Sequence, residues 1–278
     1  MTEPTLYPES GFLRLRLDIA YDGTNFSGWA KQPDRRTCQE LLESTISKIA
    51  RFKVETVVAG RTDAGVHATG QVVHVDVPEN LDLEDLTYRI NRIMDEDLRI
   101  TKISIAPPAF HARFSALRRS YRYKILDNNQ VIPPLNRADV APWYRTLNLD
   151  LLNEASALLL GSNDFAAFSK FREGSTTVRN LEKFSWIRDA NGILIADVVA
   201  DAFCYSMVRN LVGAVSCVAE GRFEPDWVVT TLKNRERISD SMVFPARGLT
   251  LYKVEYPPDS ELLERVKITV AKRESESD

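Results

Sequence analysis

Ala59-Gly60-Arg61-Thr62-Asp63-Ala64-Gly65-Val66-His67-Ala68-Thr69-Gly70 is the stretch around which the chain is organised. An apolar run at 54–58 precedes it, and Val73, Val75 and Val77 alternate with polar residues after it. Two strands joined by a polar, Gly-rich loop suit a functional loop held on a rigid support. Arg61 and Asp63 share the loop. A cation within a few ångströms keeps a carboxylate ionised, and an ionised, partly desolvated Asp can act as a nucleophile. Asp followed two residues later by Gly is equally a turn signature, with the side chain bonded to the backbone. Taken alone, the loop leaves both readings open. Gly60 and Gly65 are read as the residues that shape it.

Upstream, Leu13, Leu15, Leu17 and Ile19 alternate with Arg14, Arg16 and Asp18, which predicts a half-buried strand. Tyr21-Asp22-Gly23-Thr24-Asn25 is a turn cluster. Thr37-Cys38-Gln39-Glu40 reads as a capping box, in which Thr and Glu satisfy each other's orphan backbone donors. The helix behind it places Leu41, Leu42, Thr45, Ile46 and Ile49 on one face. Strands at 54–59 and 71–77 flank the loop. Asp82 opens a second helix with Leu83, Leu86, Ile90 and Ile93 inward, and 98–106 is a fourth strand. The order βαββαβ is that of the ferredoxin-like, split βαβ pattern shared with RNA-recognition folds. Pro107-Pro108 then breaks the chain.

The same order recurs downstream. A strand at 120–126 carries Tyr121, Tyr123 and Ile125 between Arg122 and Lys124. A long loop with Pro133, Pro134 and Pro142 leads to Asn148, which caps a helix bearing Leu152, Ala155, Leu158 and Leu159. Residues 178–188 and 193–200 read as a hairpin around Asp189-Ala190-Asn191-Gly192. Met207, Leu211, Val212, Val215 and Val218 make the apolar stripe of another helix, Pro225 opens a short extra one, and 249–256 is a closing strand. The expected fold class is α+β, with two tandem ferredoxin-like, RNA-recognition-like βαββαβ units forming a cleft. Residues 1–11 are a flexible N-terminus, 12–107 the unit carrying the loop, 108–258 the second unit, and 259–278 a partly disordered extension. Arg61 and Asp63 approach the cleft from the first half, and Tyr121, Arg179 and Arg209 from the second.

Composition excludes several classes. A chain of 278 residues can bury a large core, and 44% hydrophobic with 27% charged residues is ordinary for a globular protein. No apolar stretch reaches the ~18 residues of a membrane span. Residues 1–11 lack a signal peptide's apolar core. Cys38, Cys204 and Cys217 are scattered without a CxxC, which fits a reducing cytoplasm and argues against a zinc site. His67, His74 and His111 show no metal-ligand spacing, so no metal site is expected. His67 reads as a packed loop histidine, and His74 faces the polar side of its strand. The net charge of −3 does not mark a nucleic-acid binder. Yet Arg113, Arg118, Arg119, Arg122 and Lys124 fall within 110–126 without one carboxylate. That local field either meets phosphates or is neutralised by acids from neighbouring elements.

The run from Gly60 to Ala68, followed by Gly70-Gln71-Val72, resembles the signature of the tRNA pseudouridine synthase A family. Further blocks agree in order and spacing. They are Tyr21-Asp22-Gly23-Thr24 with Gly28-Trp29, Phe110-His111-Ala112-Arg113-Phe114-Ser115-Ala116, Tyr121-Arg122-Tyr123, Asp164-Phe165 with Phe168, Arg179-Asn180, Met207-Val208-Arg209-Asn210 with Gly213, and Gly248-Leu249. Ala30 departs from the glutamine expected there, and Cys204-Tyr205-Ser206 stands where relatives often carry histidines. The resemblance implies two tandem βαββαβ units and a cofactor-free isomerisation of uridine to pseudouridine at positions 38 to 40 of the tRNA anticodon arm, by a cytoplasmic homodimer. It implies that Asp63 attacks the sugar C1′ or the uracil C6, or takes a proton from C2′. Arg61 or Arg209 would be the cation that keeps a desolvated carboxylate charged, the other holding a phosphate. Tyr121 would stack on the flipped base and relay the C5 proton. Arg179, Arg113, Arg118 and Arg119 would hold the RNA backbone. The strands lack the RNP-type aromatic run that a tandem RNA-binding module uses, and a glycosidase needs two carboxylates where the loop offers one.

Overall fold

A computed structural model describes residues 6–170, 176–236 and 243–274. The fold is mixed α+β, and the chain divides into two units, the first running to Leu117 and resuming at Lys253, the second being Arg118–Tyr252. Pro107-Pro108 lies inside the first.

The first unit is built on β1 (Phe12–Tyr21), α1 (Cys38–Ala50), β2 (Thr56–Val58), β3 (His67–Pro78), α2 (Leu86–Ile93) and β4 (Leu98–Ile105). The strands lie in the antiparallel order β4-β1-β3-β2, with Leu15 opposite Val75 and Leu17 opposite Val73. Alternation buries Leu15, Leu17, Ile19, Val73, Val75 and Val77, and α1 and α2 add Leu42, Ile46, Leu86 and Ile90. Each such side chain contributes about 1.5–3 kcal/mol of transfer free energy. Thr37 caps α1 by accepting from the Glu40 N–H at 3.4 Å, while the Glu40 carboxylate pairs with Lys31 at 3.3 Å. Buried Glu43 ties α1 to β2 by accepting from the Thr56 N–H (2.7 Å) and hydroxyl (2.8 Å). The helix expected at Asp82 starts later. Asp82 instead accepts from the Glu84 N–H at 2.9 Å, and Asp85 takes a left-handed conformation before Leu86. Ile93, expected inward, is exposed at the helix end.

The polar side of β1 and β3 is covered as well. Arg14 is 2% exposed, pairs with Asp76 through two bonds (2.7 and 2.8 Å), and reaches the carbonyls of Leu6, Pro108 and Phe110 at 2.9–3.1 Å. His74 is buried on the same side, its Nδ1 accepting from the Ala112 N–H at 3.0 Å with the His111 ring 4.9 Å away. So this face is not a solvated one: the segment after Pro107-Pro108 lies on it.

The second unit holds β5 (Arg118–Leu126), β6 (Ala141–Pro142), α3 (Leu149–Ala157), β7 (Gly161–Asp164), β8 (Val178–Arg188), β9 (Leu194–Ala200), α4 (Met207–Ala219) and α5 (Trp227–Asn234). A last strand, β10 (Leu249–Glu255), runs across the division at 252. The order β5-β9-β8-β7 is antiparallel, and β6 pairs with β5 in parallel. The observed order of strands and α-helices from β5 to β10 is β5-β6-α3-β7-β8-β9-α4-α5-β10. Asn148 caps α3 by accepting from Asp150 N–H (2.9 Å) and Leu151 N–H (3.1 Å). In the β8–β9 turn Asp189 accepts from Asn191 and Ile193, and Gly192 has φ +80°. α4 is buried on nearly every side, beyond the single stripe its sequence suggests.

The chain then ends in α6 (Leu262–Glu274), which belongs to the first unit. Arg265 donates to the Ala116 carbonyl (3.2 Å) and Thr269 to that of Phe114 (3.0 Å). An ordered helix therefore occupies much of the stretch expected to be partly disordered. Residues 1–5 and 275–278 of the expected flexible ends lie outside the described residues. Among the described residues no helix is long and apolar enough to cross a membrane.

Candidate functional site

Asp63 stands in a loop of the first unit whose neighbours on both sides are fastened. Thr62 is buried, its hydroxyl bonded to the Tyr21 hydroxyl at 2.8 Å, and its carbonyl accepts from the Trp29 N–H at 3.0 Å. After Asp63 the chain turns back. The Val66 N–H donates to the Asp63 carbonyl (3.2 Å), the Gly65 N–H donates to the Phe26 carbonyl (3.3 Å), and Gly65 has φ +77°. Buried Gln71 closes the loop's base by donating to the Gly60 carbonyl at 2.8 Å and to the Tyr21 hydroxyl at 3.2 Å. Strand β3 begins at His67, four residues before the sequence suggests, so the loop is short. Asp63 is half-buried and Arg61 exposed. Asp63 therefore sits on a turn, closed by its own carbonyl.

The glycines that this loop requires are not all its own. Gly65 is one of them, but a β-carbon on Gly60 would meet nothing within 4 Å. Gly60 does not shape the loop, contrary to the sequence reading. The tight positions lie on the 22–29 segment. A β-carbon on Gly23 would fall 2.1 Å from the Val66 carbonyl oxygen, and one on Gly28 2.9 Å from that of Thr62. No periodicity marks these two residues, because the requirement comes from backbone packed on backbone. Trp29 is core, 1% exposed, with its ring 5.9 Å from that of Tyr21.

His67 is buried, as its sequence position suggests, with Nδ1 accepting from the Gly23 N–H at 3.0 Å. His74 does not face solvent. Burial, then the positive charges of Arg14 and His111, hold its pKa down to about 2. Asp22 is burdened by desolvation, yet its bonds from the Thr24 hydroxyl and N–H take its carboxyl below the usual range.

In the second unit Tyr121 lies on β5 opposite Val198, 7% exposed, with the Phe203 ring edge-on at 5.1 Å. Arg209, on the first turn of α4, donates from Nε to the Phe244 carbonyl at 2.7 Å. Arg179 donates to the carbonyls of Val178 and Thr176. The basic run is largely matched by acids distant in sequence: Arg118 by Glu182 (3.3 Å), Arg122 by Asp197 (3.1 Å) and Lys124 by Asp139 (2.6 Å). Arg119 is buried and donates to the Asp201 carbonyl at 2.7 Å. Arg113, in the first unit, is exposed with its guanidinium 5.5 Å from the Phe114 ring centre. Among the described residues no group of three or more His, Cys, Asp or Glu has metal-binding geometry. In the loop, then, bonds fasten the backbone on either side of half-buried Asp63, and Arg61, two residues earlier, is exposed.

Known proteins show which family the chain resembles. The family described as "tRNA pseudouridine synthase" matches residues 19–115 and 155–257. A protein of Frankia casuarinae named "tRNA pseudouridine synthase A" is 49% identical over 264 residues, 95% of this chain and 96% of its own length. One of the same name in Cutibacterium acnes is 50% identical over 256 residues, covering 91% and 92%. Among solved structures, a chain from "Crystal Structure of a Cbf5-Nop10-Gar1 Complex" aligns at 10% identity and a TM-score of 0.32, covering 73% of this chain and 54% of that one, a likeness too weak to carry an argument.

Proposed function

The chain belongs to the tRNA pseudouridine synthase family and is an isomerase that converts uridine to pseudouridine in tRNA; on that premise we propose that it acts at positions 38, 39 and 40 of the anticodon arm, with Asp63 as the nucleophile. The observation that supports this most is the fastening of Thr62 and Gly65 on either side of Asp63, which anchors the turn that carries the carboxylate.

The isomerisation is balanced within the substrate. The bond from uracil N1 to C1′ breaks, the ring turns, C5 bonds to C1′, and the C5 hydrogen leaves as a proton while N1 gains one. Asp63 supplies the nucleophile for the first step. Arg61 or Arg209 is the cation that holds it charged in a dry site, and the other grips a phosphate. Tyr121 stacks on the flipped uracil and its hydroxyl relays the C5 proton. Phosphates are met chiefly by Arg113, with Arg118, Arg119 and Arg179 in a supporting role. Two tandem ferredoxin-like units carry these groups, in a cytoplasmic homodimer that holds tRNA across both subunits.

Asp63→Asn tests the central assignment. Tritium release from tRNA carrying C5-labelled uridine is expected to cease while tRNA affinity and the melting temperature are kept. Release at the wild-type rate would remove Asp63 from the chemistry. Light scattering that gives a monomer at working concentration would remove the dimer.

A further inference from the structure

We propose that His67 is a positioning residue for the isomerisation: its Nδ1 holds the 22–29 segment against the Asp63 loop, and so sets where the carboxylate stands. The inference rests on Asp63 being the reacting group.

The segment 22–29 brackets the loop at three places. Gly23 packs on Val66 so closely that a β-carbon there would fall 2.1 Å from the Val66 carbonyl oxygen. The Phe26 carbonyl accepts from the Gly65 N–H at 3.3 Å, and the Trp29 N–H donates to the Thr62 carbonyl at 3.0 Å. Every one of these contacts is between backbones. One side chain joins the two segments at the first place, where Nδ1 of His67 accepts from the Gly23 N–H at 3.0 Å. His67 follows Val66, and the Val66 N–H closes the turn on the Asp63 carbonyl. Any movement of the imidazole is passed to Asp63 through two short links.

Asp22 Oδ1 also lies 3.1 Å from Nδ1, so the ring faces two candidate partners. Satisfaction of donors decides between them. Asp22 is partly exposed and already accepts from the Thr24 N–H and hydroxyl. Gly23 is buried, and its N–H would be orphaned if Nδ1 carried a proton. Leaving a buried N–H unpaired costs about 1–3 kcal/mol. Nδ1 therefore serves as the acceptor for the Gly23 N–H. Nε2 is buried with no hydrogen-bond partner among the described residues. A merely structural histidine would be expected to satisfy both nitrogens. Here the lone pair of Nδ1 is used and the other nitrogen is left over, so the acceptor is the useful part.

The experiment compares His67→Leu, His67→Asn and Asp22→Asn in single-turnover pseudouridine formation, with tRNA affinity and melting temperature measured on each. Asn carries an amide oxygen near the place of Nδ1. His67→Leu is expected to slow the chemical step 10- to 100-fold, the order of loss that follows a small misplacement of a reacting group, with tRNA affinity within about twofold of wild type. His67→Asn is expected to regain most of that rate, and Asp22→Asn to keep the wild-type rate. A wild-type rate in His67→Leu would overturn the proposal. So would a loss that His67→Asn does not recover, or one that Asp22→Asn reproduces. Asp63→Asn, run in the same assay, separates the two readings. If it remains active, the assignment of Asp63 fails and this inference with it; if it is dead and His67→Leu is unimpaired, this inference fails alone.

Discussion

Gly28 and Thr62 stand so close that a β-carbon on Gly28 would lie 2.9 Å from the Thr62 carbonyl oxygen, and Gly28 holds φ at +95°. The obstacle is backbone, which no rotamer change relieves, and it adjoins Asp63. Gly28→Ala therefore meets steric overlap and a left-handed conformation together. We expect it to lower unfolding free energy by about 1–3 kcal/mol and to slow pseudouridine formation. Gly60→Ala, in the same loop, meets open space and has no positive φ. It is expected to stay within about 0.5 kcal/mol of wild type. Urea unfolding of the two variants checks the contrast, and equal losses would defeat it.

The Arg14–Asp76 pair holds a charge in a nearly dry place, since the Arg14 side chain is 1% exposed against 28% for Asp76. Removing the carboxylate leaves the guanidinium buried without its counter-charge. Asp76→Ala is expected to cost about 3–5 kcal/mol. Arg14 also donates to the carbonyls of Pro108 and Phe110, so the loss should spread to the segment lying on this face. Hydrogen exchange at 110–116 is expected to quicken in Asp76→Ala. Unchanged exchange there would show that Arg14 does not hold that segment.

Much of this was legible beforehand, and the reasons for the rest are physical. Alternation at Leu13–Ile19 and the 3.6-residue pattern after Thr37 gave β1 and α1, because each residue there reports its own burial. The Thr37 and Asn148 caps were readable because capping is local. Arg14 and His74 lie on the polar face that alternation marks, but its burial was not legible, since what covers it arrives from thirty or more residues away. The acids that answer the basic run, Glu182, Asp197 and Asp139, are likewise remote. At the candidate site, Asp63 was visible in its motif. The demand on Gly23 and Gly28 was not, because it arises from close approach of another segment.

His74 sets a pH dependence of stability. Its folded pKa is down to about 2, chiefly through burial, against about 6.5 when unfolded. Between those values the unfolded chain binds a proton that the folded chain refuses. Stability therefore falls as pH drops below about 6.5, by about 1.4 kcal/mol per pH unit. His74→Asn keeps an acceptor near the Ala112 N–H and cannot take that proton. The fall in melting temperature between pH 7.5 and 5 should be smaller in the variant, whatever its stability at neutral pH. An identical fall would mean that His74 titrates normally.

Arg113 and Arg119 share a short basic run, but their surroundings give them different work. Arg113 is exposed beside Phe114, where a guanidinium can meet a phosphate without leaving the core. Arg119 is buried and donates to the Asp201 carbonyl, so reaching RNA would break that bond. A cation that neutralises one phosphate releases counterions, and its removal lowers the slope of log affinity against log salt by about 1. Arg113→Ala is expected to do this with the melting temperature unchanged. Arg119→Ala is expected to leave the slope alone and to lose about 1–3 kcal/mol of stability, the cost of removing a buried side chain that bonds a part-buried carbonyl. Filter binding of tRNA across a salt series, read beside thermal unfolding, separates the two. If the slope falls in Arg119→Ala and holds in Arg113→Ala, exposure is the wrong guide to which arginine touches the RNA.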